Sequence, residues 1–381
     1  MLISIQMKIK ITASFKTNAN KIKQTRHIFT HDDKIILGYL WEKKCVYHLR
    51  ITCCNKNDLS LIWEKDFEGL FYKGYSTPNY TIWYGNHIIC LDNATGDVVW
   101  KKEKIYCICS NIQNDRIICI KRSLINDNDN EIQCLNAIDG SVIWKKAVEE
   151  CISTFAILEN DRAYYIQADK YMYCIDAKTG QKIWSSDDFS YNGTLFEDFI
   201  VQSKSSSLLF YSKENGQQIA SYEVCPEREG ETTIIFDRGS ATFYNSTYSH
   251  VEKINIYGNN RIYAYTTSGT VYALDITKEK NLCGKTDIKV KEAWHYDAEH
   301  LDLLEFHSPK CPISICEQIN DQYVIVGEDT KSVKFLDALS GETISCIKPK
   351  FKEVLEKILI EDDSIYFMCQ KGWVYRGHFE L

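Results

Sequence analysis

Only five prolines occur in 381 residues. Proline cannot donate to a strand ladder, so its scarcity leaves most of the chain free to pair. No stretch approaches eighteen uncharged apolar residues, so no helical membrane span is expected. The first residues, MLISIQMKIKITASFKTN, have no positive leading region, no continuous apolar run and no small-residue cleavage site. From this a cytoplasmic protein is expected. There is no basic excess either. The net charge is −7, which argues against general nucleic-acid binding, because phosphates need a basic face. No Gly-x-Gly-x-x-Gly follows a strand, and there is no P-loop and no Gly-x-Ser-x-Gly elbow.

Sixteen cysteines and twenty-four tyrosines are present. Disulfide-dense scaffolds are small and secreted, and this chain fits neither description. The expectation is a reducing compartment in which cysteine serves as a small buried apolar residue.

A repeat organises the chain. Three segments align without gaps: IICLDNATGDVVWKK (88–102), IQCLNAIDGSVIWKK (132–146) and MYCIDAKTGQKIWSS (172–186). Each places a small residue (Cys90, Cys134, Cys174), a polar residue (Asp92, Asn136, Asp176), a glycine (Gly96, Gly140, Gly180) and a tryptophan (Trp100, Trp144, Trp184) at fixed offsets. Weaker copies follow. One keeps Gly216 but has Ala220 at the tryptophan position. Another keeps Ala273 and Asp275 and delays its Trp294. A third keeps Asp337 and Gly341 but has Ser345. Upstream, residues 45–66 fit with a longer turn and end in Trp63.

Each copy reads as two strands around a turn, preceded by further apolar stretches with period two. Four antiparallel strands at a spacing of roughly 40 residues are the signature of propeller blades. The fold class expected is all-β: a closed β-propeller of eight four-stranded blades, or seven, since 223–260 is hard to parse. Closure is expected where residues near 5–14 complete the blade formed near 351–381.

The repeat frame resembles the tryptophan-docking motif of the pyrroloquinoline-quinone-like (PQQ-like) propeller family. The resemblance decays along the chain but covers almost all of it. It implies that Trp63, Trp100, Trp144, Trp184 and Trp294 pack on the next blade near glycines such as Gly96, Gly140, Gly180, Gly216 and Gly341. The lysine usual after the glycine is replaced by Asp97, Ser141 and Gln181. Family members include PQQ-dependent dehydrogenases and a non-enzymatic outer-membrane assembly scaffold. A fold does not assign a function, so the resemblance leaves three readings: a protein-binding scaffold, a ligand-binding or oxidoreductase-like propeller, and an assembly factor.

The local constellations favour no catalysis and no cofactor. Cys53–Cys54 resembles the vicinal pair of some quinone-dependent dehydrogenases, but the calcium and catalytic residues of those enzymes match no motif here. NDNDNE (126–131) lacks the glycine and late glutamate of a calcium loop. His307, Cys311 and Cys316 lack an evident fourth ligand for zinc.

Function is therefore expected where the repeat breaks. The first break, 223–250, reads as an extra hairpin and carries Glu227, Glu229 and Glu231 with Phe236 and Tyr244. The second, 281–309, carries Asp297, Glu299, Asp302 and Glu305, with AEHLDLLEFH as a short amphipathic helix. Acidic residues interleaved with aromatics suit a protein partner with a basic surface. The sharpest form of this expectation is a non-enzymatic immunity or antitoxin-type protein that blocks a basic toxin domain.

Overall fold

Apolar alternation between Asn-, Asp- and Gly-rich turns makes every regular element of the described chain a strand. A computed structural model describes residues 8–17, 22–103, 106–122, 130–148, 152–167, 171–187, 192–196, 198–204, 206–224, 232–237, 240–245, 251–257, 260–266, 270–280, 286–297, 316–318, 322–327, 333–347, 355–361, 364–369 and 372–380. The strands form eight four-stranded antiparallel sheets and one two-stranded hairpin. The fold is an eight-bladed β-propeller, with eight blades and not seven.

Blades 1 to 7 cover 22–68, 71–102, 106–148, 152–186, 192–223, 251–297 and 316–347. Within each, the strands lie in chain order from first to fourth. Blade 8 takes three strands from 355–380 and its fourth from Lys8–Lys16. The chain divides into two compact units. One is Met1–Asp187 with Ile347–Leu381 and holds blades 1–4 and 8; the other is Asp188–Cys346 and holds blades 5–7.

In the first unit the N-terminal strand closes blade 8. Lys8 pairs with Glu380 and Lys16 with Trp373. Thr17 then anchors the exit of this strand. Its N–H donates to the Gly372 carbonyl at 3.1 Å, and its hydroxyl donates to Glu64 Oε1 of blade 1 at 3.1 Å. Thr17 is buried, so this contact between blades 8 and 1 is shielded from water. Between blades the core is aliphatic: Ile118, Ile132, Leu158 and Ile175 fill the space between blades 3 and 4.

In the second unit the structure re-reads both breaks. Glu223 belongs to the fourth strand of blade 5, Gln218–Glu223, so the first break starts later than its sequence suggests. Beyond it stands a hairpin of Thr232–Asp237 and Ser240–Asn245. The second break starts as an elongated outer hairpin of blade 6, because Thr270–Lys280 and Thr286–Asp297 pair along their whole length. That length has a packing reason. Blade 5 has Ala220 instead of tryptophan, and Ile276, Ile288 and Val290 of the long hairpin pack with Phe196, Phe199, Phe210 and Tyr222 there. The helix expected in AEHLDLLEFH lies outside the described residues.

Deleting residues 1–17 removes the fourth strand of blade 8 with the packing of Ala13, Phe15 and Thr17. It is expected to cost roughly 3 kcal/mol or more in urea unfolding. A synthetic peptide of the missing strand, added in trans, should restore part of that loss.

Candidate partner-binding face

The repeat's polar residue shapes the turn between the third and fourth strands. Asp92 Oδ1 accepts the N–H groups of Ala94 and Thr95 at 2.7 and 2.9 Å. Asp176 does the same for Lys178 and Thr179 at 2.9 and 2.8 Å. The turn closes when the glycine N–H returns to the carbonyl of that polar residue, as Gly140 does to Asn136 at 2.8 Å. Gly140 has φ +70°, a left-handed conformation that costs a side chain little only in Asn, Asp or Gly.

Each turn then receives an indole from the preceding blade. Trp63 Nε1 donates to the Asn93 carbonyl at 3.0 Å, Trp100 to Ala137 at 2.9 Å, Trp144 to Ala177 at 2.9 Å and, in the second unit, Trp294 to Ala338 at 2.9 Å. The ring lies flat on the receiving glycine: a Cβ on Gly140 would sit 2.7 Å from the Trp100 ring. The residue that receives the indole is also anchored through its own N–H. Ala137 N–H donates to the Asp115 carbonyl at 2.8 Å, and Ala177 N–H to Asp161 at 2.7 Å. Asp115 and Asp161 occupy the turns between first and second strands.

These first turns carry a signal that sequence reading missed: Asn114–Asp115–Arg116 and Asn160–Asp161–Arg162. Asn114, Asp115, Asn160 and Asp161 all have φ between 47° and 63°, which Asn and Asp tolerate better than most residues. The turns are also tied blade to blade. Tyr80 OH donates to Asp115 Oδ1 at 3.1 Å, and Arg116 Nη1 to Asp161 Oδ1 at 3.1 Å.

In a four-stranded antiparallel sheet, the first and last turns share one end. The contacts above join these ends across blades 1–4, so that face is built from turns. Its turns carry Asp32, Asp33, Asp58, Asp97, Asp115, Asp139 and Asp161 against Lys56, Lys178 and the arginines of the two Asn-Asp-Arg turns, Arg116 and Arg162. Lys56 is paired with Glu361 at 2.8 Å, and Lys178 with Asp161 at 2.6 Å. Hydrogen bonds from Lys178 hold Asp161 below the usual carboxylate range, those from Ser141 do so for Asp139, those from Lys65 for Asp97, and those from Ser60 for Asp58. Aliphatic residues border the acids. Ile138, at a turn tip, is 53% exposed; Val98 and Val99 are 48% and 53% exposed, and Val142 and Ile143 are 45% and 46% exposed. Leu61, Ile62 and Ile183 are exposed at equivalent places in blades 1 and 4.

The residues singled out in the two breaks fare differently. Glu227, Glu229, Glu231, Glu299, Asp302 and Glu305 lie outside the described residues. Phe236 and Tyr244 sit on opposite strands of the extra hairpin. Asp297 ends the fourth strand of blade 6 and accepts a hydrogen bond from Thr270 Oγ1 at 2.6 Å. Glu131, read as part of a loop, lies in a strand and pairs with Lys121 and Lys145.

The cysteines next to the tryptophans are packing residues. Cys53, Cys90, Cys134 and Cys174 each pair across the ladder with the tryptophan of their own blade and are fully buried. Burial pushes the thiols of Cys53, Cys54 and Cys90 up to about 12, and those of Cys134 and Cys174 up to about 11. Cys53–Cys54 is a pair of free thiols, and Cys53 is blade 1's copy of the repeat's small residue. Among the described residues no three metal-ligating side chains cluster, and no helix is long and apolar enough to cross a membrane.

A family model described as outer membrane protein assembly factor BamB matches residues 85–302. No curated protein matches the chain. Solved propellers are similar in fold. BamB from Moraxella catarrhalis is 16% identical, with a TM-score of 0.61, over 98% of this chain and all of that one. Sqt1 from Chaetomium thermophilum, solved bound to the N-terminus of ribosomal protein L10, is 10% identical with a TM-score of 0.65 over 97% and 99%. The quinohemoprotein alcohol dehydrogenase ADHIIG from Pseudomonas putida HK5 is 9% identical with a TM-score of 0.61 over 97% and 76%.

Gly140→Ala puts a side chain at positive φ against an indole and is expected to cost about 2–4 kcal/mol in urea unfolding. Trp100→Phe, which leaves the Ala137 carbonyl only the weak Cys90 thiol donor at 3.9 Å, should cost about 1–3 kcal/mol. In the folded protein, iodoacetamide should label the exposed Cys45 and Cys346 and spare Cys53, Cys90, Cys134 and Cys174, as read by mass spectrometry.

Proposed function

The chain belongs to the PQQ-like propeller family of the outer membrane protein assembly factor BamB, and within that family we propose that it is a non-enzymatic, cytosolic protein-binding scaffold. One observation carries the reading: the turn end of blades 1–4 holds seven aspartates against two paired lysines and two arginines, beside exposed aliphatic residues. Such a face suits a protein partner with basic and apolar side chains. Charge steers the encounter, and the aliphatic residues are covered on docking. The partner class accords with Sqt1, which was solved bound to a peptide terminus of another protein. The finer form of the proposal is an immunity-type role, in which the partner is a basic toxin domain blocked by this acidic face.

The proposal differs from the sequence expectation in where it puts the site. The acidic character lies on the regular turns of the first unit. These turns are held by backbone geometry, so little entropy is lost when a partner docks.

The test is a comparison of native-lysate captures by the wild type and by Asp33→Asn/Asp97→Asn/Asp115→Asn/Asp139→Asn. Asparagine keeps the turn hydrogen bonds and removes the charge. A basic protein held by the wild type should bind the variant at least about tenfold more weakly in low salt. Equal recovery by both proteins counts against the acidic face, and PQQ-dependent oxidation with added calcium counts against a non-enzymatic scaffold. The lowered carboxylates stay ionised well below neutrality, so binding should change little between about pH 7.5 and about pH 5. A group depressed in the folded state contributes stability above its unfolded pKa and loses it as pH falls. Melting temperature should therefore begin to drop as pH falls below about 6.5, where burial opposes protonation of His31 and His87, and drop further below about pH 4 as the carboxylates protonate.

A further inference from the structure

The fourth strand of a blade is its open edge. In blades 2, 3 and 4 these strands are Val98–Lys102, Val142–Val148 and Lys182–Ser186. Together they contain five lysines and no acidic residue, in a chain of net charge −7. The fourth strands of blades 1 and 6 do carry acidic residues (LIWEKDFE and TDIKVKEAWHYD). Blade 3 has the longest of the three basic edges, with seven residues against five.

We propose that the open edge Val142–Val148 of blade 3 accepts an extended, acidic and aliphatic segment of a second protein as a fifth strand. Three features point to that occupant. Val142 and Ile143, at a β-bulge where the strand leaves its turn, are both exposed, so the strand start is uncovered. Across the sheet, Lys121, Glu131 and Lys145 form a ladder of alternating sign on the second, third and fourth strands: Lys121 lies opposite Glu131 with an Nζ–Oε distance of 3.7 Å, and Lys145, opposite Gln133, reaches Glu131 diagonally at 3.5 Å. The ladder ends on a cation at the edge, and an added strand continues it with a carboxylate beside Lys145. Lys146, which makes no ion pair among the described residues, gives the opposite face the same sign. Lysines on an edge also guard against self-pairing. A second copy docked edge to edge would bring Lys145 and Lys146 towards their own counterparts, so an acidic partner fits and a second copy does not. Strand addition supplies main-chain hydrogen bonds, with alternate side chains giving the selectivity.

This edge shares Val142 and Ile143 with the border of the acidic turn end and runs on from it through Lys145 and Lys146, and the inference does not rest on the proposed basic partner. If both hold, the protein brings together two partners of opposite charge.

The probe is a short fluorescent peptide alternating valine and glutamate, titrated against the full chain and followed by anisotropy. Saturable binding is expected, weakened about tenfold in Lys145→Glu/Lys146→Glu. A valine–lysine peptide should not bind. Methylating one set of alternate backbone amides of the probe should abolish binding, while methylating the other set should leave it within about twofold, because only every second amide faces the edge. Lys146→Glu alone, which breaks no ion pair among the described residues, should keep the wild-type melting temperature and still weaken binding, whereas adding Lys145→Glu removes the pair with Glu131 and should lower that temperature slightly. The Asp→Asn variant of the turn end should bind the probe normally, which separates this test from the previous one. Absence of saturable binding, equal binding by the Lys→Glu variant, or indifference to both methylation patterns overturns the inference.

Discussion

The structure depends on one hydrogen bond repeated between blades: an indole N–H donated to the carbonyl that follows the repeat's polar residue. Trp100 and Ala137 show its logic. Ala137 receives Trp100 on its carbonyl and donates its own N–H to the Asp115 carbonyl. One residue thus ties the outer strand of one blade to both turns of the next. A buried carbonyl left without a donor costs more than an average hydrogen bond contributes, so the tryptophan and the receiving turn constrain each other. The indole also needs a flat surface, and only glycine offers one at positive φ. Blade 5, with Ala220, lacks the indole, and the long hairpin of blade 6 fills the space instead.

That constraint also shapes the surface. Turns anchored from beneath present Asp97, Asp115, Asp139 and Asp161 in set positions, and the strand that leaves each turn starts with exposed aliphatic residues. The same strands run on into lysines. An acidic end and a basic edge therefore arise from adjacent parts of one repeat, a charge division suited to a scaffold that binds other proteins.

Much of this was legible beforehand. The repeats at 88–102, 132–146 and 172–186 gave the blades, and the orphan apolar stretch at the N-terminus gave the closure with Trp373–Glu380. Three things were not. Cys53 went unplaced because blade 1 lengthens the turn that aligns it with Trp63. The Asn-Asp-Arg turns carry no local sign of their role, since their carbonyls act on residues some twenty positions away, such as Ala137. The residues 286–297 read as an interruption because their strand partner, Thr270–Lys280, is longer than in other blades.

The sequence by itself determined the local matters: strand period, turn glycines, the tryptophan spacing, and from these the fold class and the repeat unit. Local spacing suffices there because each blade is a consecutive meander whose pairings are set by turns of a few residues. Tertiary structure alone decided which surfaces are exposed together. Aspartates spread from Asp32 to Asp161 share an end, and Lys121, Glu131 and Lys145 share a ladder, only once hydrogen bonds between strands and between blades have set the register. Charge on one blade is scattered in sequence, and it becomes a face when neighbouring turns are locked side by side.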